Sequence, residues 1–354
     1  MNNRLYLLTG AAGYLGSNIS RKLLESGERV RALVLPGDPA AGHVPEGVEV
    51  VSGDLLDLES LERFFAAPEG TEVIVLHCAS FVTVNPDPNP KVYAVNVTGT
   101  RNILAMCLKR AVKKLVYVSS TGAIPELPNG RTIREVDWFD PKAVVGYYGE
   151  TKAEATQLVL DAVHEKGLDA SIVYPSGIAG PNDFGYSFFA TFVIDAAMGK
   201  MPAGVQGSFN AVDVRDLADG VIACAEKGGK GEGYIMSNDL VTIREMFQLI
   251  ARYTGAREVK MILPVWVARA LAAVMKIQSK LTGKPALLTS FAIYNLARNN
   301  NFSSEKARRE LDYRTRPFEE TIEDTVNWLR EERKIPAEPG VVAARCFGPA
   351  HVAR

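Results

Sequence analysis

Apolar residues along this chain follow two periods in turn. Leu5–Leu8 is an unbroken apolar run, as in a strand buried on both faces, and Leu15, Ile19, Leu23 and Leu24 then recur on one face at helical spacing. The alternation repeats. Arg29–Leu35, Val48–Val51, Val73–Leu76, Leu115–Ser119 and Ala170–Tyr174 read as further strands, with a helix predicted over Pro90–Arg110. Strand and helix in alternation predict an α/β fold built on a doubly wound parallel sheet, and right-handed crossovers gather the carboxyl ends of its strands on one edge.

From about residue 178 the pattern turns mostly helical. Ala211–Ala218 is expected to bring the chain back to the large sheet and open another helix, and Asp239–Gly255 holds a helix started by a Thr242–Glu245 capping box. Pro264–Leu281 is an apolar helix with Trp266, Leu271, Val274 and Met275, interrupted by Arg269, Lys276 and Lys280. It is too short and too charged to span a bilayer. A helix closing a substrate cleft is the favoured reading, and a peripheral contact with a membrane surface stays open. Thr321–Lys334 is a last amphipathic helix. The organisation expected is a dinucleotide-binding domain over 1–177 with about 211–237, a smaller lobe over 178–210 and 238–335, and a loosely held tail over 336–354.

Composition narrows the class. The 354 residues carry 40 basic and 41 acidic side chains, a net charge of −1, so no global field draws the chain to nucleic acid or an anionic surface. Lys109, Arg110, Lys113 and Lys114 read as the end of a solvated helix. Cys78, Cys107, Cys224 and Cys346 lack CxxC spacing, which points to neither a metal site nor a disulfide framework. Met1-Asn2-Asn3 leads straight into the first strand with no signal-peptide pattern, and a reducing cytoplasm is expected.

The candidate chemistry begins at Thr9-Gly10-Ala11-Ala12-Gly13-Tyr14-Leu15-Gly16. Gly10, Gly13 and Gly16 lie between a predicted strand and a predicted helix, where glycine permits a tight turn, close approach of the backbone to a pyrophosphate and close helix packing. The second strand ends in Val34-Leu35-Pro36-Gly37-Asp38. An acidic residue there accepts the ribose hydroxyls of NAD and an arginine pairs with the 2′-phosphate of NADP. Neither sits in the expected place. Asp38 comes a few residues late and also suits a turn, and the lack of an arginine favours NAD over NADP.

The fifth strand ends in Ser119-Ser120-Thr121, and Tyr148-Gly149-Glu150-Thr151-Lys152 follows 27 residues after Thr121. Four residues apart at a helix start, Tyr148 and Lys152 share a face, so an ammonium near the phenol is expected to lower its pKa and make it a proton donor or acceptor near neutrality. Tyr147 has Thr151 four residues on, which supplies no charge.

The glycine turn, the hydroxyl cluster and the Tyr-x-x-x-Lys pair together are similar to the extended short-chain dehydrogenase/reductases, over about the first 240 residues. The resemblance implies a Rossmann-type sheet, a hydroxyl of Thr121 or Ser120 polarising a carbonyl, proton transfer by Tyr148, and Lys152 holding the nicotinamide ribose as well. Either hydroxyl fits, depending on the register of the cluster, with Thr121 slightly favoured and Ser120 left open. The turn from Thr9 through Gly10, Gly13, Tyr14, Leu15 and Gly16, together with Leu35, Asp38 and Ser119, falls on the expected cofactor path. Asp54 and Leu55 resemble the family's adenine border. Cys78, Ala79 and Ser80 resemble the loop beneath ribose and pyrophosphate, where His77 is expected to contribute backbone contacts rather than catalysis. Tyr174, Pro175, Gly177 and Ile178 resemble the loop against the nicotinamide. Asn96 resembles an asparagine that shapes the site and in some members holds a relay water; a buried amide satisfying neighbouring backbone accounts for it equally well.

Phe184, Tyr186, Phe188, Phe189 and Phe192 fit either lobe core or an apolar substrate wall. Gly207-Ser208-Phe209-Asn210 stands where nucleotide-sugar enzymes of this branch carry basic residues, which weakens a diphosphate substrate. The stretch Phe302–Tyr313 resembles 3β-hydroxysteroid dehydrogenase-like and dihydroflavonol reductase-like proteins. The expectation is an NAD(P)-dependent enzyme transferring hydride to or from an apolar secondary alcohol or ketone, as a homodimer. A nucleotide-sugar epimerase or dehydratase with retained NAD, and a non-catalytic NAD(P) sensor, are the alternatives.

Overall fold

The computed structural model describes residues 3–282 and 289–337, the side chains of 276–282 excepted. In chain order the strands are β1 (Arg4–Thr9), β2 (Val30–Val34), β3 (Glu49–Ser52), β4 (Glu72–His77), β5 (Lys114–Val118), β6 (Ala170–Pro175), β7 (Gly177–Ala179), β8 (Gly204–Val205), β9 (Ser208–Asp213), β10 (Gly233–Met236), β11 (Leu240–Thr242) and β12 (Ile262–Leu263). The helices are α1 (Tyr14–Glu25), α2 (Leu58–Phe65), α3 (Pro90–Tyr93), α4 (Thr100–Lys109), α5 (Tyr147–Lys166), α6 (Phe188–Ala197), α7 (Val214–Lys227), α8 (Ile243–Thr254), α9 (Val265–Thr282), α10 (Ser290–Ala297), α11 (Glu305–Leu311) and α12 (Phe318–Glu331).

Among the described residues, seven strands form a parallel sheet in the order β10-β6-β5-β4-β1-β2-β3. The chain runs outward from β1 to β3 and then returns to β4 on the other side of β1. That reversal opens a crevice beyond the ends of β1 and β4, the place where open α/β sheets bind ligands.

The period of two in the strands divides the core. Leu5, Leu7, Val75, Leu115 and Tyr117 face Leu61, Phe64, Ile103 and Val159 on α2, α4 and α5. Tyr6, Leu8, Ile74, Leu76 and Val116 face Ile19, Leu23, Leu217 and Val221 on α1 and α7. A third cluster joins α6, α8 and α12 through Phe189, Phe247 and Trp328. A smaller one sets Ala268 and Ala272 of α9 against Ile293 of α10.

Three expectations are corrected. Residues 208–213 do not rejoin the large sheet: β9 pairs with β7 and β11, because the edge beside β6 is filled by β10. The helix over 90–110 is not continuous, and a π-turn over Ala94–Gly99 separates α3 from α4. Lys114 lies in β5, buried, where its ammonium pairs with Asp169 at 2.6 Å and the Gly228 carbonyl at 2.7 Å. The predicted tail falls outside the described residues from residue 338 on, Cys346 included.

A very close backbone approach lies in the first turn. A Cβ placed on Gly16 would stand 2.1 Å from the Gly10 carbonyl oxygen, so α1 packs on the turn through bare backbone. Gly16→Ala is therefore expected to destabilise the protein by about 1–3 kcal/mol in urea unfolding. Gly42→Ala, where a Cβ meets nothing within 4 Å, should stay within about 0.5 kcal/mol of the native chain.

Candidate active site

Four strand ends converge on the crevice. The end of β1 supplies Gly10, whose φ of +76° and missing Cβ let its backbone lie against Ala79 after β4, 2.8 Å from where the Cβ would be. Gly13, the N-cap of α1, brings no capping side chain, and the first turn holds no acidic residue. The opening N–H groups and positive dipole end of α1 thus have no side-chain anion of their own. Tyr14 ties this turn to the loop after β7, its hydroxyl donating to the Gly180 carbonyl at 2.6 Å. Leu15 turns into the core.

A directional network locks β1 to β4. The Thr100 hydroxyl donates to the Asn96 carbonyl at 2.7 Å, which leaves it to accept from His77 Nε2 at 3.1 Å. Nδ1 then accepts the Thr9 hydroxyl at 2.7 Å, and Thr9 Oγ1 accepts the Ala79 N–H at 3.2 Å. Burial pushes His77 down to about 3, so the ring is neutral in this role. His77 thus works through its side chain rather than through its backbone alone.

Asn96 sits in the π-turn, buried. Its Oδ1 accepts the Ser80 hydroxyl at 3.1 Å and the Phe81 N–H at 2.7 Å, while Nδ2 donates to the Phe81 carbonyl and to Thr151 Oγ1. The side-chain amide is fully used, and the geometry is that of a clamp joining the loop after β4 to α5.

At the other wall, α5 meets the end of β5. A Cβ on Gly149 would lie 2.7 Å from the Gly122 carbonyl oxygen, so only glycine lets the helix start approach so closely. The approach sets the Tyr148 phenol near the Ser80 and Ser120 hydroxyls, both of which act to lower its pKa. Ser120 also accepts the Gly122 N–H at 3.0 Å, whereas Thr121 is buried at the head of the short turn Thr121–Ala123. Ser119 gives its hydroxyl to a 2.6 Å pair with Thr156.

Lys152 is buried, its Nζ donating to the Val118 carbonyl at 2.8 Å and lying 4.4 Å from the Tyr117 ring centroid. Burial pulls it down to about 7, so near neutrality about half of the population is charged. The expected lowering of the Tyr148 pKa does not follow. Burial holds the phenol above its ordinary value, with Ser80 and Ser120 acting against it, and the ammonium is committed to Val118 and Tyr117.

The remaining cofactor candidates divide by what their side chains do. Leu35 is half exposed at the end of β2. The Asp38 carboxylate accepts the Ala40 N–H at 2.8 Å and closes its own turn. Asp54 does the same for Leu56, and Leu55 joins the core while its carbonyl accepts from Asn102. Cys78 is partly buried in the crevice loop, its thiol pushed up to about 12 by burial. The Tyr174 ring is core, stacked on Phe139 at 5.6 Å, and Pro175 pairs with Met236 on β10. Gly177 seats the Phe209 ring, and Ile178 packs against the core. Ser176 between them is buried, with a hydroxyl that no group among the described residues partners.

The uncapped α1, the bare glycine backbone and this orphan hydroxyl fit a dinucleotide laid across the strand ends. Of the aromatics, Phe184, Tyr186, Phe189 and Phe192 pack in the third cluster, and Phe188 is exposed. Tyr117 beneath Lys152 and the His77 pairs gave no local signal. Gly149 did, since glycine inside a helix costs about 1 kcal/mol and implies a packing reason.

The family model described as the NAD dependent epimerase/dehydratase family matches residues 6–237. The sterol demethylase protein B of Methylococcus capsulatus is 32% identical over 335 residues, 93% of this chain and 99% of that protein. A 4-hydroxy-2-methyl-3-oxo-4-farnesyl-3,4-dihydroquinoline-1-oxide ketoreductase of Stigmatella aurantiaca is 30% identical, covering 86% of this chain and 90% of that one. The solved structure of gox2253 superposes with a TM-score of 0.82 at 31% identity, over 94% of this chain and all of the other.

The buried lysine yields a stability test. Its folded value of about 7 lies below the ordinary value of 10.5, so burying the charge costs stability in full below about pH 7, and the cost fades as pH rises toward 10.5. Lys152→Met should raise the urea midpoint at about pH 6, with the gain shrinking toward about pH 10. A variant less stable than the native chain at about pH 6 would contradict this.

Proposed function

This chain belongs to the NAD-dependent epimerase/dehydratase family, and from that premise we propose that it moves hydride between a nicotinamide dinucleotide and an apolar secondary alcohol or ketone of sterol-like or flavonoid-like build. The observation that carries the reading is the buried phenol of Tyr148 near the Ser120 and Ser80 hydroxyls at the crevice of a dinucleotide fold, with Lys152 one turn along the same helix. The similar proteins named for sterol demethylation and for ketone reduction of a farnesylated quinoline support the apolar substrate.

The turn from Gly10 to Gly16, the Cys78–Ser80 loop and the segment around Ser176 would hold the cofactor. When bound, the nicotinamide supplies or takes up the hydride; the rest falls to the chain. In the reducing direction the Ser120 hydroxyl donates a hydrogen bond to the substrate carbonyl oxygen, which favours charge developing there. Tyr148 delivers its proton to the same oxygen, completing the alcohol. Its raised pKa keeps the phenol protonated and ready to donate. Lys152 sits one turn below as the nearby cation, held in place by Val118 and Tyr117. Asn96 holds Ser80, beside the phenol, and ties it to Thr151 on α5. Crowding substrate and donors into one geometry supplies much of the remaining acceleration.

NAD is the preferred dinucleotide. A 2′-phosphate calls for an arginine fork, and β2 is followed by Leu35-Pro36-Gly37 instead. A nucleotide-sugar substrate with retained NAD is disfavoured on similar grounds. Gly207-Ser208-Phe209-Asn210 carries no charge, and its members pack inward, Phe209 over Gly177 and Asn210 against Asn238.

The test is absorbance at the reduced-nicotinamide band with NAD or NADP and a panel of 3-hydroxysteroids, flavanonols and nucleotide sugars. Turnover is expected with an apolar alcohol and with NAD ahead of NADP; silence across the panel, with NAD co-purifying, would transfer the assignment to the epimerase or dehydratase reaction. Tyr148→Phe should lower kcat by about 100-fold to 10,000-fold with dinucleotide binding retained. Ser120→Ala should cost about 100-fold to 1,000-fold, and Thr121→Val less than about tenfold. Loss concentrated in the Thr121 variant would reassign the hydroxyl.

A further inference from the structure

Among the described residues, nothing packs on the outward face of α9. The helix turns Ala268 and Ala272 inward against Val205 and Ile293, while Trp266 (75% exposed), Leu271 (44%) and Val274 (63%) stand in solvent with Ala270 and Ala273 between them. Met261, 61% exposed, extends the patch ahead of the helix. Both sides of α9 are therefore apolar, and a helix apolar all round is normally covered on all sides.

Charge identifies the cover. Between Val259 and Ser304 the chain carries six basic residues and no Asp or Glu, although the whole protein is balanced at −1. Lys260 and Arg269, both exposed, flank the apolar patch. Trp and aliphatic residues rimmed by Lys and Arg form the surface that settles into the headgroup layer of an anionic bilayer. No described helix is long and apolar enough to cross a membrane, so the contact is with one leaflet.

We propose that the face of α9 made by Trp266, Ala270, Leu271 and Val274, with Met261, docks peripherally on anionic lipid, its apolar side chains entering the headgroup boundary and Lys260 and Arg269 pairing with lipid phosphates. The placement suits an apolar substrate. On its inner side α9 packs on α10, whose Phe291 ring lies where a Cβ on Gly146 would be, 2.5 Å away and two residues before Tyr148. The docking face and the phenol are thus linked through one helix.

The test is flotation of the full chain with vesicles of phosphatidylcholine alone or mixed equally with phosphatidylglycerol, with size-exclusion chromatography of each protein in parallel. The native chain should float with the mixed vesicles and at least about tenfold more weakly with phosphatidylcholine, and raised salt should release it. Lys260→Glu with Arg269→Glu, and separately Trp266→Ser with Val274→Asp, should each weaken flotation by about tenfold or more while the thermal midpoint holds. Lipids brominated in their acyl chains should quench native fluorescence more than that of Trp266→Phe. Absent flotation, flotation indifferent to these substitutions, or a native dimer that the Trp266 and Val274 pair converts to monomer would overturn the proposal, the last by giving the face to a second copy. Because the readout is lipid binding and not turnover, its failure leaves the hydride-transfer reading standing.

Discussion

A buried ammonium is unfavourable in a protein interior, and Lys152 is buried at the centre of this one. Its place depends on a contact one turn away, where Gly149 lets α5 lie against the Gly122 carbonyl. With a side chain there, the helix start would move off the end of β5. The lysine would lose the Val118 carbonyl and the Tyr117 ring, and the Tyr148 phenol would lose Ser120. The two glycines of the first turn play the same part for the dinucleotide, bringing backbone where a side chain would stand. Close backbone approach, bought with glycine at Gly10, Gly16 and Gly149, sets the geometry of the whole crevice.

Two polar clamps then hold the crevice walls together. The Thr9–His77–Thr100 chain is directional, each hydroxyl donating once and accepting once, and it runs from the glycine turn to the carbonyl of Asn96. The Asn96 amide continues it to Ser80, Phe81 and α5. The π-turn around Asn96 is what allows both its carbonyl and its amide to be used, a local departure from regular helix of a kind found often at functional sites. The crevice loop is thereby fixed before any substrate arrives, as transition-state stabilisation by positioned donors requires.

Much of this was legible in the sequence because the relevant signals are local. An apolar run followed by glycines and helical spacing marks β1 and α1, and the tyrosine and lysine share a helix face whatever surrounds them. What failed to show was set by distant partners. Ala211–Ala218 reads as a return to the large sheet followed by a helix, yet nothing in it says that β7 and β11 are the neighbours of its strand rather than β6. The π-turn adds a residue inside a segment whose apolar spacing still looks helical. Ser120 and Thr121 are adjacent at a strand end, where a shift of one residue reverses a side chain's direction, so their composition could not decide which meets the phenol. The raised phenol pKa depends on burial, which spacing alone does not report.

The central claim is that this crevice transfers hydride to a carbonyl carbon while Tyr148 supplies the proton. The most direct measurement is isotopic: the protein is incubated with reduced nicotinamide dinucleotide carrying deuterium at C4 and with a 3-ketosteroid, and the alcohol is analysed by mass spectrometry and NMR. The account predicts one deuterium on the carbinol carbon, transferred from one face of the nicotinamide. An alcohol free of deuterium, or label that remains in the cofactor while a nucleotide sugar is epimerised, would contradict it.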